Sequence, residues 1–186
     1  TPVLFTGASG TGKEVAARTL HAMSDRAEKP FVAVNCAAIS QDKCAEDLFG
    51  EINEDGQGRD GLFLLADGGV LFLDEVAQMP EKMQAALLRV LEDQRIRPVG
   101  AERDIPLNLR FFFATNADLP TAVANGTFRA DLYHRINVVN IDMRNPIPLG
   151  HVVPSPFCGP VTGLCHFVVQ AVPDHRLWQS PPIGDC

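Results

Sequence analysis

Gly7 and Gly12 are separated by four residues, with Lys13 directly after Gly12, in the run Gly7-Ala8-Ser9-Gly10-Thr11-Gly12-Lys13-Glu14. Glycines at 7, 10 and 12 can take backbone conformations closed to residues with a Cβ, so successive N–H groups can turn inward around an anion. Lys13 adds a full charge for terminal phosphates. A helix starting there aims its unpaired N–H groups and the positive end of its dipole at the same point. The chemistry implied is phosphate binding. The hydroxyl that usually follows the lysine, and would ligate magnesium, is replaced by Glu14.

Phosphoryl chemistry also needs a magnesium ligand, a group that positions the attacking water and a cation for the developing charge. Asp74 and Glu75 close the apolar run Val70-Leu71-Phe72-Leu73, which is where a doubly wound sheet delivers residues to its ligand crevice. Asp74 suits a magnesium contact and Glu75 suits polarising water. A second run, Phe111-Phe112-Phe113-Ala114, ends in Thr115 and Asn116, polar groups suited to sensing the terminal phosphate or holding the water. Asn also caps turns, so position alone leaves Asn116 open between the two roles. Arg129 and Arg135, six residues apart, read on physical grounds as surface charge or as a local ion pair with Asp131.

The elements that must position these residues are legible as short apolar runs alternating with amphipathic segments, the pattern of a parallel sheet with helices between its strands. Strands are predicted at Val3–Phe5, Phe31–Val34, Val70–Leu73, Phe111–Ala114 and Val138–Ile141; most are apolar without alternation, as in strands covered on both faces. A helix after the phosphate loop is predicted to bury Ala16, Leu20 and Met23. Another is predicted to bury Met83, Leu87 and Leu91, with Pro80 in its first turn. Between Gly50 and Gly61 the polar, glycine-containing stretch Glu51–Asp60 predicts a solvated loop.

The composition changes after Asn145. Eight of the 14 prolines fall at 146 or beyond, where Asp174, Arg176 and Asp185 are the only charged Asp, Glu, Lys or Arg residues. The expected organisation is therefore a core over 1–145 and an irregular, Pro-rich tail over 146–186.

With 46% hydrophobic and 21% charged residues, the 186-residue chain has the composition of a globular domain and can bury one sizeable core. Sixteen Lys and Arg against 23 Asp and Glu give a net charge of −7, so direct nucleic-acid contact by this chain is not expected. No apolar run approaches the roughly 18 residues of a membrane span, and the first residues lack a secretion-signal pattern. The expected location is the cytoplasm, with no membrane partner. Cys36, Cys44, Cys158, Cys165 and Cys186 show no paired spacing, which favours buried or incidental thiols over disulfides or zinc.

Taken together, Gly7–Glu14, Pro30–Ile39, Asp47-Leu48-Phe49-Gly50, Ala66–Glu75 and Phe128-Arg129-Ala130-Asp131-Leu132-Tyr133-His134-Arg135 resemble the AAA+ central domain of bacterial sigma-54-dependent transcription activators. The resemblance runs from the first residues to about Asp142. It implies a three-layer P-loop NTPase of the α/β class, with a mostly parallel five-stranded sheet flanked by helices. It also implies ATP and Mg2+ as cofactors and a homo-oligomeric ring, a hexamer when the module is complete, whose hydrolysis remodels sigma-54 RNA polymerase.

Carried over by position, Gly7, Ala8, Ser9, Gly10, Thr11, Gly12, Lys13 and Glu14 form the nucleotide loop. Asp74 is the magnesium-associated acid and Glu75 the residue that activates water. Asn35 matches the asparagine that restrains that glutamate, and Asn116 the sensor. Arg129 and Arg135 match arginines that reach into the neighbouring subunit's nucleotide site.

The sequence departs from the family pattern in three places. The segment after Gly50 lacks the Gly-Ala-Phe-Thr-Gly-Ala loop with which family members contact sigma-54, and it is several residues shorter. Ile147–Cys186 shows no helical lid, and the segment flanking the adenine is expected to be missing ahead of the first strand. Beside the polymerase-remodelling ATPase, the readings that stay open are a nucleotide-responsive oligomerising domain that does not contact sigma-54 and a truncated or frame-shifted inactive fragment. A small phosphate-loop kinase is disfavoured by Glu14 and by the absence of a second-substrate site.

Overall fold

The computed structural model describes residues 1–40, 42–52, 58–143 and 168–171. Strands β1 (Val3–Thr6), β2 (Phe31–Asn35), β3 (Gly50–Ile52), β4 (Gly58–Asp60) and β5 (Val70–Asp74) are interleaved with helices α1 (Lys13–Ala22), α2 (Cys44–Phe49) and α3 (Leu62–Leu65). There follow α4 (Glu81–Asp93), β6 (Arg95–Ile96), β7 (Ile105–Pro106), β8 (Arg110–Thr115), α5 (Leu119–Ala124), α6 (Ala130–Ile136), β9 (Val139–Asp142) and β10 (Val168–Ala171). Two single 3-10 turns, Cys36–Ala38 and Val76–Gln78, follow β2 and β5.

The main sheet has the order β10-β9-β1-β8-β5-β2. Its five strands from β9 to β2 are parallel and coincide with the five predicted runs, and β10 adds to the β9 edge antiparallel. Alternate residues of each strand face opposite sides. Leu4, Leu71, Leu73, Phe111 and Phe113 join a core with α2 through α6, whereas Val3, Phe5, Val70, Phe72, Phe112, Ala114 and Ile141 pack with α1. Both faces are therefore covered, which is why these strands read as unbroken apolar runs.

Met83, Leu87 and Leu91 of α4 are buried as expected. Pro80 is the residue that precedes the helix rather than one inside its first turn. The predicted face of α1 needs correction. Ala16 is buried, but Leu20 is 37% and Met23 78% exposed; the inward face carries Lys13, Ala16, Ala17 and His21. Small side chains at 16 and 17 let the helix settle close on the sheet, and that turns the larger apolar residues outward.

Both ends of the loop expected over Glu51–Asp60 are strands, and residues 53–57 lie outside the described residues. Strands β3 and β4 pair antiparallel, and β3 is tied to the segment after β6 by hydrogen bonds from Ile52 N to Val99 O (2.8 Å) and from Val99 N to Gly50 O (2.9 Å). The polar side chains here gave no strand signal because β4 is exposed along its length. Of the tail expected to be irregular, Val168–Ala171 forms a strand, and the remainder, with Cys158, Cys165 and Cys186, lies outside the described residues.

Candidate functional site

All five parallel strands end at one edge of the sheet, and the candidate residues lie along it in strand order. Thr6, which leads into the phosphate loop, is in register with Thr115, the residue before Asn116; β5 lies on the other side of β8, and its Asp74 is in register with Asn35 of β2. The phosphate loop thus opens between β9 and β8, where the chain order changes direction across the sheet.

The loop has the backbone its sequence calls for. Gly10 (φ +80°) and Gly12 (φ +84°) are in the left-handed region, and open space surrounds the position a Cβ would take at each. Gly7, at φ +153°, is also required for closeness: a Cβ there would meet the carbonyl oxygen of Met143 at 2.6 Å. Ala8, Ser9 and Gly10 are exposed, and Thr11 Oγ1 donates to Ala8 O at 2.9 Å. Lys13 is buried, and its Nζ donates to Gly7 O (2.9 Å) and Ala8 O (3.0 Å). An ammonium has three donors, so one remains for an anion in the loop. Glu14 is engaged elsewhere, since its Oε1 accepts from Arg18 Nη2 (2.7 Å) and Nε (2.9 Å) one turn along α1.

Asp74 Oδ1 accepts the backbone N–H of Glu75 at 2.9 Å, leaving the second oxygen for another ligand. Glu75 has φ +53° and ψ +45°, a conformation that a residue with a Cβ rarely holds and that commonly accompanies function. Its Oε2 is buried with no hydrogen-bond partner, although a buried carboxylate oxygen is ordinarily satisfied. Both features fit a group that completes its contacts only when a ligand arrives. Cys36 packs beside these acids. Burial pushes its thiol up to about 12, and the neighbouring charges of Asp74 and Glu75 act in the same direction.

Asn35 and Asn116 sit on this edge, and among the described residues neither hydrogen-bonds Glu75. Asn35 Oδ1 accepts the N–H of Ala37 at 2.9 Å and so caps the turn after β2. Asn116 is exposed, directly after the fully buried Thr115, whose hydroxyl accepts from Ala117 N at 3.1 Å and whose carbonyl accepts from Gly7 N at 3.3 Å.

The two arginines are not part of this cluster. Arg129 precedes α6, and its guanidinium grips Asp131 through Nε–Oδ1 (3.0 Å) and Nη2–Oδ2 (2.7 Å), the local pair allowed for in the sequence. That hydrogen-bonded pair holds the Asp131 carboxyl below the usual carboxylate range. Arg135 lies at the opposite edge of the sheet, lining a cavity of about 270 Å³ with Pro2, Arg110 and Val138, and donates to Leu91 O at 3.4 Å. A four-residue strand separates the two edges by about 13 Å. Arg135 therefore does not reach the phosphate-loop edge of its own chain, and Arg129 is held by Asp131.

Sequence reasoning missed one residue, Gln84. It is 1% exposed, donates through Nε2 to Met79 O (2.9 Å) and Thr127 O (3.1 Å), and accepts the Arg129 N–H at Oε1 (2.9 Å). The available signal was its place on α4 beside Leu87, Leu88 and Leu91, at helical spacing on the apolar side.

Comparison with known proteins agrees with this geometry. Residues 1–142 match the family described as the Sigma-54 interaction domain. The transcriptional regulatory protein GlrR of Escherichia coli (strain K12) is 48% identical over 143 residues, covering 75% of this chain and 32% of GlrR. A Nif-specific regulatory protein of Herbaspirillum seropedicae is 51% identical over 145 residues, covering 75% of this chain and 26% of the relative. The structure of NtrX from Brucella abortus in complex with ATP superposes with a TM-score of 0.73 at 42% identity, over 77% of this chain and 33% of NtrX. The chain thus spans about a third or less of the length of these relatives. Among the described residues, no helix is long and apolar enough to cross a membrane. With the phosphate loop, the acidic strand end and the arginine helix all inside the matched span, the chain belongs to the Sigma-54 interaction domain family of transcriptional regulators.

Proposed function

We propose that this chain is the ATP-hydrolysing module of a transcription regulator, active when copies assemble so that each supplies arginines to its neighbour's nucleotide. The observation that carries the reading is the division of labour across the sheet. Lys13, Asp74 and Glu75 converge at the carboxyl edge, while Arg135 stands at the other edge. ATP in the neighbouring NtrX structure supports the choice of nucleotide.

In this reading the Gly7–Lys13 loop holds the phosphates and Asp74 holds Mg2+, which would neutralise charge on the phosphate oxygens. Glu75 orients the attacking water, Asn116 senses the terminal phosphate, and Asn35 restrains Glu75 until the assembly is engaged. Arg129 and Arg135 serve the adjacent copy. The output is remodelling of sigma-54 RNA polymerase by a ring, six-membered when complete. Titration with fluorescent ATP tests the binding step: Lys13→Ala is expected to abolish saturable binding, and equal affinity of the two chains would overturn the reading. Specific ATPase activity should rise steeply with protein concentration, and a constant value argues against a shared site.

A second reading is favoured by the segment after Gly50, which lacks the Gly-Ala-Phe-Thr-Gly-Ala sequence. Here the module binds nucleotide and oligomerises without contacting sigma-54. Sigma-54 binding in the presence of a transition-state analogue separates the two.

A further inference from the structure

We propose that Gln84 is a positioning residue that makes the placement of Arg129 depend on the segment following Glu75; the inference rests on the reading above, in which Arg129 serves a neighbouring copy. The connection is short and buried. Gln78 N donates to Glu75 O (2.9 Å) and Met79 N donates to Val76 O (3.1 Å), so the turn after Glu75 moves as a unit with it. Val76 and Met79 are 0% and 3% exposed. The carbonyl of Met79 accepts one Gln84 Nε2 hydrogen, that of Thr127 accepts the other, and Gln84 Oε1 receives the Arg129 N–H. One primary amide is thus satisfied at both ends by three backbone groups from two segments more than 40 residues apart in sequence.

A buried amide in this arrangement has no alternative partner, so displacing one of its three contacts strains the other two. Phe128, 3% exposed, and Leu132, 0% exposed, anchor the same corner to the core; the Arg129 carbonyl accepts from Tyr133 N (3.0 Å), and its N–H is held by Gln84. The side chain has more freedom. Its pair with Asp131 is solvent-exposed, so the guanidinium can exchange that carboxylate for a phosphate at small cost. Gln84 therefore sets where the arginine starts, and the turn after Glu75 sets Gln84. Events at a chain's own nucleotide are transmitted in this way to the arginine that serves the next copy.

Gln84→Met keeps the side-chain volume and removes all three hydrogen bonds. Hydrogen–deuterium exchange of the full chain is measured with and without the imido analogue of ATP plus Mg2+. In the native chain the analogue is expected to change exchange in both Val76–Met79 and Thr127–Asp131. In Gln84→Met the first response persists and the second falls at least threefold. In ATPase assays the variant loses at least tenfold in kcat with KM within twofold, and loses nothing more when Arg129→Ala is added.

Gln84→Glu is a second variant. It recovers part of the Thr127–Asp131 response as pH falls, because its buried carboxyl regains a donor on protonation, whereas a packing role has no such pH profile. An undiminished Thr127–Asp131 response in Gln84→Met overturns the proposal, as does an additive loss with Arg129→Ala. If Arg129→Ala leaves native hydrolysis unchanged, or the analogue fails to bind, the reading of the site fails and this inference falls with it.

Discussion

Cys36 and Glu75 sit side by side, and each departs from the ordinary behaviour of its residue type. The Cys36 thiol is held neutral by burial first and by Asp74 next, so its folded-state value of about 12 lies above the ordinary thiol value of 9.0. A group whose folded value is raised contributes stability that is fully present below the unfolded value and is lost as pH rises through the folded one. Urea denaturation between pH 9 and 12 should therefore show a decline in stability that Cys36→Ala reduces, by an amount on the order of a few kcal/mol. An identical pH profile in the variant would falsify the assignment. Below pH 8 the same thiol should resist alkylation until the chain unfolds, as mass spectrometry of the labelled peptides would show. Glu75 differs in that its Oε2 is buried without a hydrogen-bond partner and its backbone is in the left-handed region. Glu75→Gln should leave nucleotide affinity within about twofold while lowering hydrolysis by at least about 100-fold, the scale of a lost general base.

At the level of elements, what the sequence discloses follows from how locally each element is determined. The central strands β5 and β8 are the most legible because every residue from Val70 to Leu73 and from Phe111 to Ala114 is buried, so apolarity has no gaps. Asp74, Glu75 and Asn116 are legible because each terminates such a run. The face of α1 is not legible, because Ala16-Leu20-Met23 and Ala16-Ala17-His21 both fit a helical period and only the closeness of the sheet chooses between them. Gln84 is hidden for a related reason: its three partners come from Met79 and from the Thr127–Arg129 segment, and no local pattern announces them. The β3–β4 pair is hidden by its exposure. The difference between the two helices can be measured by denaturation. Leu87→Ala should cost about 2–5 kcal/mol, as for a fully enclosed core leucine. Met23→Ala should fall within about 0.5 kcal/mol, as for an exposed site. A Met23 penalty approaching that of Leu87 in the isolated chain would restore the original face.

For the whole molecule, the separation of Lys13 and Glu75 from Arg135 would, on the proposed reading, make activity a property of an interface. An arginine supplied from a neighbour is worth about 10³-fold or more in phosphoryl transfer, so an unassembled copy should be nearly inert however well it binds ATP. Mixing experiments follow from the geometry. On the proposed reading, a Glu75→Gln copy has a dead site but both arginines, and an Arg129→Ala copy has an intact site but lacks one of the two arginines its neighbour needs. Each alone should be inactive. When the two are mixed in equal amounts and assemble at random through head-to-tail interfaces, half of the sites are intact and half of those face an intact arginine, so about one quarter of native activity should return. Recovery should vanish when Gln84→Met is placed on the Glu75→Gln copy, the donor of the arginine. It should survive when Gln84→Met is placed on the Arg129→Ala copy, whose arginine is already gone. No recovery in the first mixture, with both chains shown to bind nucleotide, would return the arginines to their own chain's surface and leave the Arg129–Asp131 pair as a local contact.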